Sequence, residues 1–317
     1  MRRILLLAIV AALQAAQAQE WPARPVRIIV PFPPGGSADL VPRAISEKLA
    51  ARWGQPVLIE NRAGAAGNIG AEAVYKAEPD GYTLLAAPPP PLVINAALYP
   101  KLAYDAAAFV PVTVIAAIPN ALLVHPRVGV NTIQELIAYA RANPAKLNYA
   151  SQGSGTTSHL TAELFKSMAG GLRITHVPYK GSAPALIDLL GGQVDMMCDN
   201  LGVSLPHVRS GKLKLLGVGS EKRVASLPEV PALAEVLPGF AAVAWFGIVA
   251  PPRTPAAITE RIAAAAAAAL KQPDVARRLV ELSAEPVGST PVEMAGFMRQ
   301  ERERWAAVIR AAGVKLD

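Results

Sequence analysis

The feature that most limits the possible folds is an alternation of short apolar runs with helical patterns. The run Val26–Val30 is continuous and β-branched, which is typical of a strand buried on both faces. It leads through the stretch PFPPGGSADL into a helical pattern over residues 40–52 and then a second apolar run at residues 57–60. Strands that alternate with helices form parallel sheets covered by helices, so the sequence predicts an α/β fold.

The second half of the chain repeats this arrangement. Residues 147–150 predict a short strand, SQGSGTTS a Gly/Ser loop, and residues 158–168 an amphipathic helix. Between the two halves, the four prolines at residues 88–91 predict a loop, and Pro119 divides apolar runs at residues 109–114 and 121–124. Three helices, each opened by a proline, are predicted after residue 254.

The length of the chain, 317 residues, favours two domains. Crossings between them are predicted near residues 118–122 and 242–245, where a hinge would lie. The first lobe then comprises residues 19–120 and 244–317 and includes the C-terminal helices, whereas the second lobe comprises residues 121–243. Each lobe is expected to contain a mostly parallel sheet flanked by helices.

The N-terminus has the pattern of a cleavable signal peptide. Two arginines are followed by a short apolar stretch and by Ala16-Gln17-Ala18, which predicts a signal peptide over residues 1–18. An uncleaved anchor helix is disfavoured because spanning a bilayer takes about 20 apolar residues. Cys198 is the only cysteine, so the chain has no intrachain disulfide and no lipid-anchoring cysteine at the cleavage point.

The net charge and the distribution of basic residues indicate which partners the chain could bind. The formal net charge is +7 at pH 7, which favours anionic partners in general. The basic residues are scattered, and no stripe of aromatic and basic residues accompanies them. The sequence therefore predicts no nucleic-acid partner.

Two loops, each between a strand and a helix, predict an anion site. The first N–H groups of a helix are unpaired and carry partial positive charge, and glycine allows close approach of a ligand. In the first loop the donors would be the N–H groups of Gly36, Ser37 and Ala38 and the Ser37 hydroxyl, whereas Asp39 would cap the helix or order the loop. In the second loop they would be the N–H groups of residues 153–157 and the hydroxyls of Ser151, Ser154, Thr156 and Thr157. Both loops would face one cleft, where open α/β sheets bind ligands.

Other chemistry is poorly supported by the sequence. The four histidines lack metal-ligand spacing, and no dinucleotide or phosphate-loop fingerprint occurs, so no cofactor or metal is predicted. The spacing of a nucleophile elbow is also missing around Ser154. Two functions other than simple binding of an anion stay open: a secreted serine-type hydrolase of small esters or amides that uses Ser154 or Ser151, and an adhesion or structural module.

Several blocks together resemble the Bug family of periplasmic solute receptors, which serve tripartite tricarboxylate transporters. They run in order from residue 21 to the C-terminus and include PFPPGGSADLVPR, IENRAGAAGNIGAEAV, DGYTLL, YASQGSGTTSHLTAELFK, VPYKGSAPALIDLLGGQVD and RVASLPEVPALAE. The resemblance implies a periplasmic, two-lobed Venus-flytrap protein without enzymatic activity. Such a protein closes on a small carboxylate and docks on the integral-membrane subunits of a permease.

The resemblance also implies which residues bind the ligand. The two carboxylate-holding loops would be residues 32–39 and 151–157, with a third wall after DGYTLL. That wall is Ala-Ala-Pro-Pro-Pro-Pro here, so a ligand with one carboxylate and a less polar body fits better than citrate. Asp199 would order a loop or contact a ligand amine or hydroxyl. The predicted binding residues are Phe32, Gly35, Gly36, Ser37, Ala38, Asp39, Ala87, Pro88, Ser151, Gly153, Ser154, Gly155, Thr156, Thr157 and Asp199.

Overall fold

The computed structural model describes residues 21–315, and the predicted signal peptide lies outside them. The strands are β1 (Val26–Val30), β2 (Val57–Asn61), β3 (Thr83–Ala87), β4 (Val110–Val124), β5 (Asn148–Ser151), β6 (Thr175–Pro178), β7 (Met196–Asn200), β8 (Lys214–Val218), β9 (Val243–Ala250) and β10 (Glu285–Pro286). The α-helices are α1 (Ser37–Trp53), α2 (Asn68–Tyr75), α3 (Asn95–Leu98), α4 (Ile133–Ala142), α5 (Thr157–Met168), α6 (Ser182–Leu190), α7 (Leu201–Arg209), α8 (Ala256–Leu270), α9 (Pro273–Glu281) and α10 (Pro291–Ala312).

The first part of the sheet is built around β1. Strands β2 and β3 pair with β1 in parallel, as expected for successive strand–helix units. On the other side of β3, β9 runs antiparallel and pairs in turn with β4. The buried face of α1, with Val41, Ile45 and Leu49, belongs to the same hydrophobic core as β1.

The second part of the sheet is formed by the end of β4 together with β5–β8. Residues 120–124 of β4 pair antiparallel with β7, and residues 121–124 pair antiparallel with β8 on the other side. Strand β5 lies between β7 and β6 and is parallel to both. The predicted α/β architecture of two parts, each a sheet flanked by helices, is confirmed. The sheets are mixed and not mostly parallel, because β4 and β9 run antiparallel to the strands they pair with. The exact division into residues 19–120 with 244–317 and residues 121–243 stays a prediction.

Backbone hydrogen bonds join the segments that connect the two parts. The N–H of Asn120 donates to the carbonyl of Ala242 at 3.1 Å, and the N–H of Ala242 donates to the carbonyl of Gly219 at 2.7 Å. The N–H of Gly219 closes the set by donating to the carbonyl of Asn120 at 2.6 Å. A Cβ atom on Gly219 would lie 2.5 Å from the Ala242 carbonyl oxygen, so only glycine fits here.

Two proline-containing segments differ from the sequence prediction. The prediction of a loop at residues 88–91 is wrong at its C-terminal end, because a π-helical turn, Pro90–Ile94, begins there and continues into α3. Prolines are tolerated at this start because the first N–H groups of a helix need no partner. The division of the apolar runs at Pro119 is not a division between strands, since β4 is continuous over 15 residues. Pro119 lies at the end of the β4–β9 ladder, opposite Val243.

Candidate ligand-binding site

The loop between β1 and α1 leaves the first N–H groups of α1 without a capping side chain. Gly35 adopts a left-handed conformation, with φ of 87°, and Gly36 caps α1 without a side-chain hydrogen bond. The buried Asp39 carboxylate turns back and accepts hydrogen bonds from the Gly35 N–H at 3.1 Å and from Arg43 at 2.8 Å. Asp39 therefore orders the loop, and the N–H groups of the first turn stay available for a ligand.

Ser37 is the first residue of α1 and carries an unsatisfied hydroxyl. Its side chain is only 1% exposed, and its Oγ atom has no hydrogen-bond partner among residues 21–315. A buried hydroxyl without a partner is costly and uncommon in native structures. Because this hydroxyl lies at a helix N-terminus, an anionic ligand could accept its hydrogen bond.

The loop between β5 and α5 uses most of its donors internally. The Gly153 N–H donates to Ser151 Oγ at 3.1 Å, and the Gly155 N–H donates to His159 Nδ1 at 3.1 Å. The Thr156 hydroxyl donates to the Gly153 carbonyl at 2.7 Å and also caps α5 by accepting from the His159 N–H. These groups hold the loop in shape and are not free to bind an anion.

Two further helix N-termini face the same space, and the sequence prediction did not include them. Helix α6 begins after the N-cap Gly181, and α7 begins after the N-cap Asn200, in both cases without a side-chain cap. The stretch YKGSAP before α6 repeats the pattern of strand, glycine, serine and helix, so the sequence contained a signal for it. Four helices, α1, α5, α6 and α7, thus begin at one cavity.

The cavity is narrow because the two parts of the protein touch around it. The free space in it is about 20 Å³, roughly enough for one water molecule, so the cleft is nearly closed. A Cβ atom on Gly181 would lie 3.1 Å from the Pro33 ring, and one on Gly36 would lie 3.6 Å from Ser182. The lining residues carry no ionisable side chain and are Phe32, Pro33, Pro34, Gly36, Ser37, Ala38, Pro88, Gln152, Thr157, Gly181, Ser182, Ala183, Asn200 and Phe246.

Asp199 lies behind the cavity wall and not on it. Its side chain is fully buried, and Oδ1 accepts hydrogen bonds from the Ser182 hydroxyl at 2.9 Å, the Asn200 N–H at 2.8 Å and the Gln152 side-chain amide. Oδ2 has no partner. Burial raises the pKa of Asp199 to about 6, and the three hydrogen bonds oppose this increase.

The predicted binding residues divide into two groups. Those that line the cavity are Phe32, Gly36, Ser37, Ala38, Pro88 and Thr157. Those that lie outside its lining are Gly35, Asp39, Ala87, Ser151, Gly153, Ser154, Gly155, Thr156 and Asp199. Lining residues that the prediction did not name are Pro33, Pro34, Gln152, Gly181, Ser182, Ala183, Asn200 and Phe246.

A serine and a histidine lie within hydrogen-bond distance behind the second loop. Ser151 Oγ is 2.6 Å from His176 Nε2, and the His176 ring stacks on His159 with centroids 4.1 Å apart. Burial lowers the pKa of His176 to about 3. Ser151 is fully buried and accepts from the Gly153 N–H, so a substrate has no access to it as a nucleophile.

The two-lobed α/β fold and the cleft bordered by helix N-termini define the class of two-lobed solute-binding proteins. The family model described as the tripartite tricarboxylate transporter family receptor matches residues 41–314, so the chain belongs to this family. BugT from Bordetella pertussis is 39% identical over 302 residues, which cover 94% of this chain and 92% of BugT. The resemblance inferred from the sequence is thereby confirmed.

Solved structures show the same fold. An R. palustris protein solved with adipate is 40% identical, has a TM-score of 0.90, and matches over 93% of this chain and 99% of its own. MatC from Rhodopseudomonas palustris, solved with bound malate, is 37% identical with a TM-score of 0.86, over 91% of this chain and 100% of its own. Within residues 21–315, none of the helices is long and apolar enough to cross a membrane.

Proposed function

We propose that the chain is an extracytoplasmic receptor that captures a small carboxylate in the cleft and delivers it to a tripartite tricarboxylate-type permease. The observation that carries the proposal is the buried, unpartnered hydroxyl of Ser37 at the uncapped start of α1. A carboxylate would accept hydrogen bonds from this hydroxyl and from the first N–H groups of α1. Relatives solved with adipate and malate support this choice of ligand class.

Binding is proposed to be coupled to closure of the cleft. Helix α1 contributes to the cavity from one side, and α5, α6 and α7 contribute from the other. A ligand that contacts both sides favours the closed arrangement over an open one, with hinges near residues 118–122 and 242–245. The close approach of Gly36 to Ser182 would occur only on closure.

The cellular context is part of the same proposal. A signal peptide at residues 1–18 would send the protein to the periplasm, where its partners would be the integral-membrane subunits of the permease. Membership of the receptor family supports this partner. Uptake of a radiolabelled carboxylate by cells that contain the permease should require the receptor and should be lost with a variant that cannot bind.

A pair of substitutions at Gly36 tests the site. A Cβ atom on Gly36 would be in ordinary contact with Ser182 at 3.6 Å, so Gly36→Ala should retain ligand binding. The additional methyl groups of Gly36→Val would occupy the space between Gly36 and Ser182, so binding should be lost. Gly155→Val is a less clean test because Gly155 has a φ of 82°, a conformation that valine rarely adopts.

The assay is isothermal titration against a panel of carboxylic acids, chosen after a thermal-shift screen. A receptor gains thermal stability from its ligand and leaves the ligand unchanged, whereas a hydrolase would turn over esters or amides. Unaltered affinity in Gly36→Val would overturn the assignment of the cleft. Turnover of an ester or amide panel would favour the hydrolase instead.

A further inference from the structure

The strands that connect the two parts of the protein present two different faces. Successive side chains of a strand point to opposite faces. On β9, Phe246 lines the ligand cavity, so Val243 and Trp245 point to the other face, here called the outer face. The contacts of Trp245 agree with this, because its ring packs edge-on against Phe297 of α10 with centroids 5.2 Å apart. The connecting strands therefore separate the ligand cavity from a second surface.

A groove lies on the outer face. Its floor includes Pro119 and Val243, which pair with each other and are only partly buried. By contrast, Ile118 and Asn120 point to the cavity side and are fully buried. The free space in the groove is about 690 Å³, whereas the free space in the ligand cavity is about 20 Å³. In this structure the cleft is thus nearly closed and the groove is open.

The two walls of the groove belong to different parts of the protein. One wall is formed by residues 220–226, which follow β8, and the other by residues 280 and 283–285, from the end of α9 to the start of β10. The first wall is fixed within its own part by an ion pair between Arg223 and Glu235 at 2.7 Å. Among residues 21–315, no hydrogen bond or ion pair joins one wall to the other.

Strand β4 attaches the two walls on opposite sides of the proposed hinge. Strand β10 pairs with residues 116–117 of β4, before the hinge, and β8 pairs with residues 121–124, after it. A rotation about the hinge therefore moves the walls relative to each other. Because the cavity and the groove lie on opposite faces of the connecting strands, the rotation that opens the cleft must narrow the groove.

We propose that this groove controls closure, so that a bulky group placed in it holds the cleft shut and increases the affinity for the ligand. The inference rests on the proposed function, because it concerns the same closing movement. A filled groove resists narrowing, which makes the open state less favourable and leaves the closed state unaffected. Because the closed state is the one that contacts the ligand from both sides, a larger closed fraction raises the apparent affinity.

Tryptophan substitutions on the two walls test the inference. Ala225 on one wall is exposed, and Val280 on the other is 71% exposed, so neither substitution disturbs the core. Ala225→Trp and Val280→Trp add an indole ring to the groove from opposite sides. The matched controls are Ala142→Trp and Val292→Trp, because both residues are exposed and neither lines the groove.

The first measurement is the radius of gyration of the ligand-free proteins by small-angle X-ray scattering. At least one groove variant should be more compact than the natural protein and approach the value of the nearly closed structure. The two controls should match the natural protein. If neither groove variant is more compact than the natural protein, the inference is overturned.

The second measurement is calorimetric titration with adipate and malate, the acids with which two relatives were solved. A groove variant that is more compact should bind about fivefold or more tightly than the natural protein, which is the lower end of the usual coupling between two sites. The controls should bind as the natural protein does. Unchanged or weaker binding by the compact variant, or an equal gain in its control, would contradict the inference.

The two proposals fail in different ways. If no acid of the carboxylate panel binds the natural protein, the proposed function is refuted, and the scattering alone decides whether the groove controls closure. If the acids bind and the groove variants are neither more compact nor tighter in binding, only the inference about the groove is refuted.

Discussion

Replacing Ser37 by alanine at the start of α1 should weaken ligand binding and leave the stability of the protein nearly unchanged. The substitution removes a hydroxyl that lines the cavity and that has no hydrogen-bond partner in the described part of the chain. Because no internal hydrogen bond is lost, the free energy of unfolding without ligand should change by less than about 1 kcal/mol. In the complex, the same hydroxyl would donate to a carboxylate.

The expected loss of affinity follows from the strength of that bond. A hydrogen bond to a charged group contributes about 1.5–3 kcal/mol. Ser37→Ala should therefore raise Kd about 10-fold to 100-fold, since each 1.4 kcal/mol corresponds to about a factor of ten. The remaining affinity would come from the N–H groups of α1, which the substitution does not change.

Ser204→Ala is the matched control. Ser204 is also fully buried with an unpartnered hydroxyl, but it lies within α7 and does not line the cavity. Calorimetric titration and urea unfolding of both variants should show weaker binding in Ser37→Ala alone. Equal affinity in Ser37→Ala and the natural protein would refute the reasoning, as would a loss of stability without a change in affinity.

Three further predictions concern stability. Burial lowers the pKa of His159 from 6.5 to about 4, so its contribution to the free energy of unfolding is complete above pH 6.5 and falls by about 3 kcal/mol by pH 4. The difference between the natural protein and His159→Asn in denaturant unfolding should show this fall, and a difference independent of pH would contradict it. Glu301→Ala should cost about 3 kcal/mol in urea unfolding, because it leaves two buried indole N–H groups without their acceptor. The exposed Glu303→Ala should cost little, and equal losses would argue against the buried network. Gly202→Ala would place a Cβ atom 1.9 Å from the Leu282 carbonyl oxygen, so it should lower the melting temperature or weaken ligand binding, and a variant unchanged in both would contradict this packing.

The elements that depend on local pattern could be predicted from the sequence. Val26–Val30 is a strand both in the prediction and in the structure. The predicted helix at residues 158–168 begins one residue earlier, at Thr157. Apolar periodicity and glycine positions determine such elements because the preferences act over a few residues. The error at Pro90 arose because a proline is compatible with a helix start as well as with a loop, and neighbouring elements decide between these options.

Only part of the candidate site could be predicted from the sequence. Ser37 and Thr157 stand at helix starts that the glycine loops revealed, and both line the cavity. The use of the Gly155 N–H by His159 depends on a side-chain orientation that spacing does not specify. The lining residue Phe246 belongs to β9 and lies next to the first loop only through the pairing of β9 with β3.

By itself, the sequence determined the α/β class, the two glycine loops at helix starts and membership of the receptor family. These properties depend on backbone preferences and on short blocks of residues. Only the tertiary structure brought four helix N-termini to one cavity and placed the Asp199 carboxylate behind three groups of its wall. Such an arrangement joins segments far apart in the chain, and long-range pairing of strands, not local preference, sets their distances.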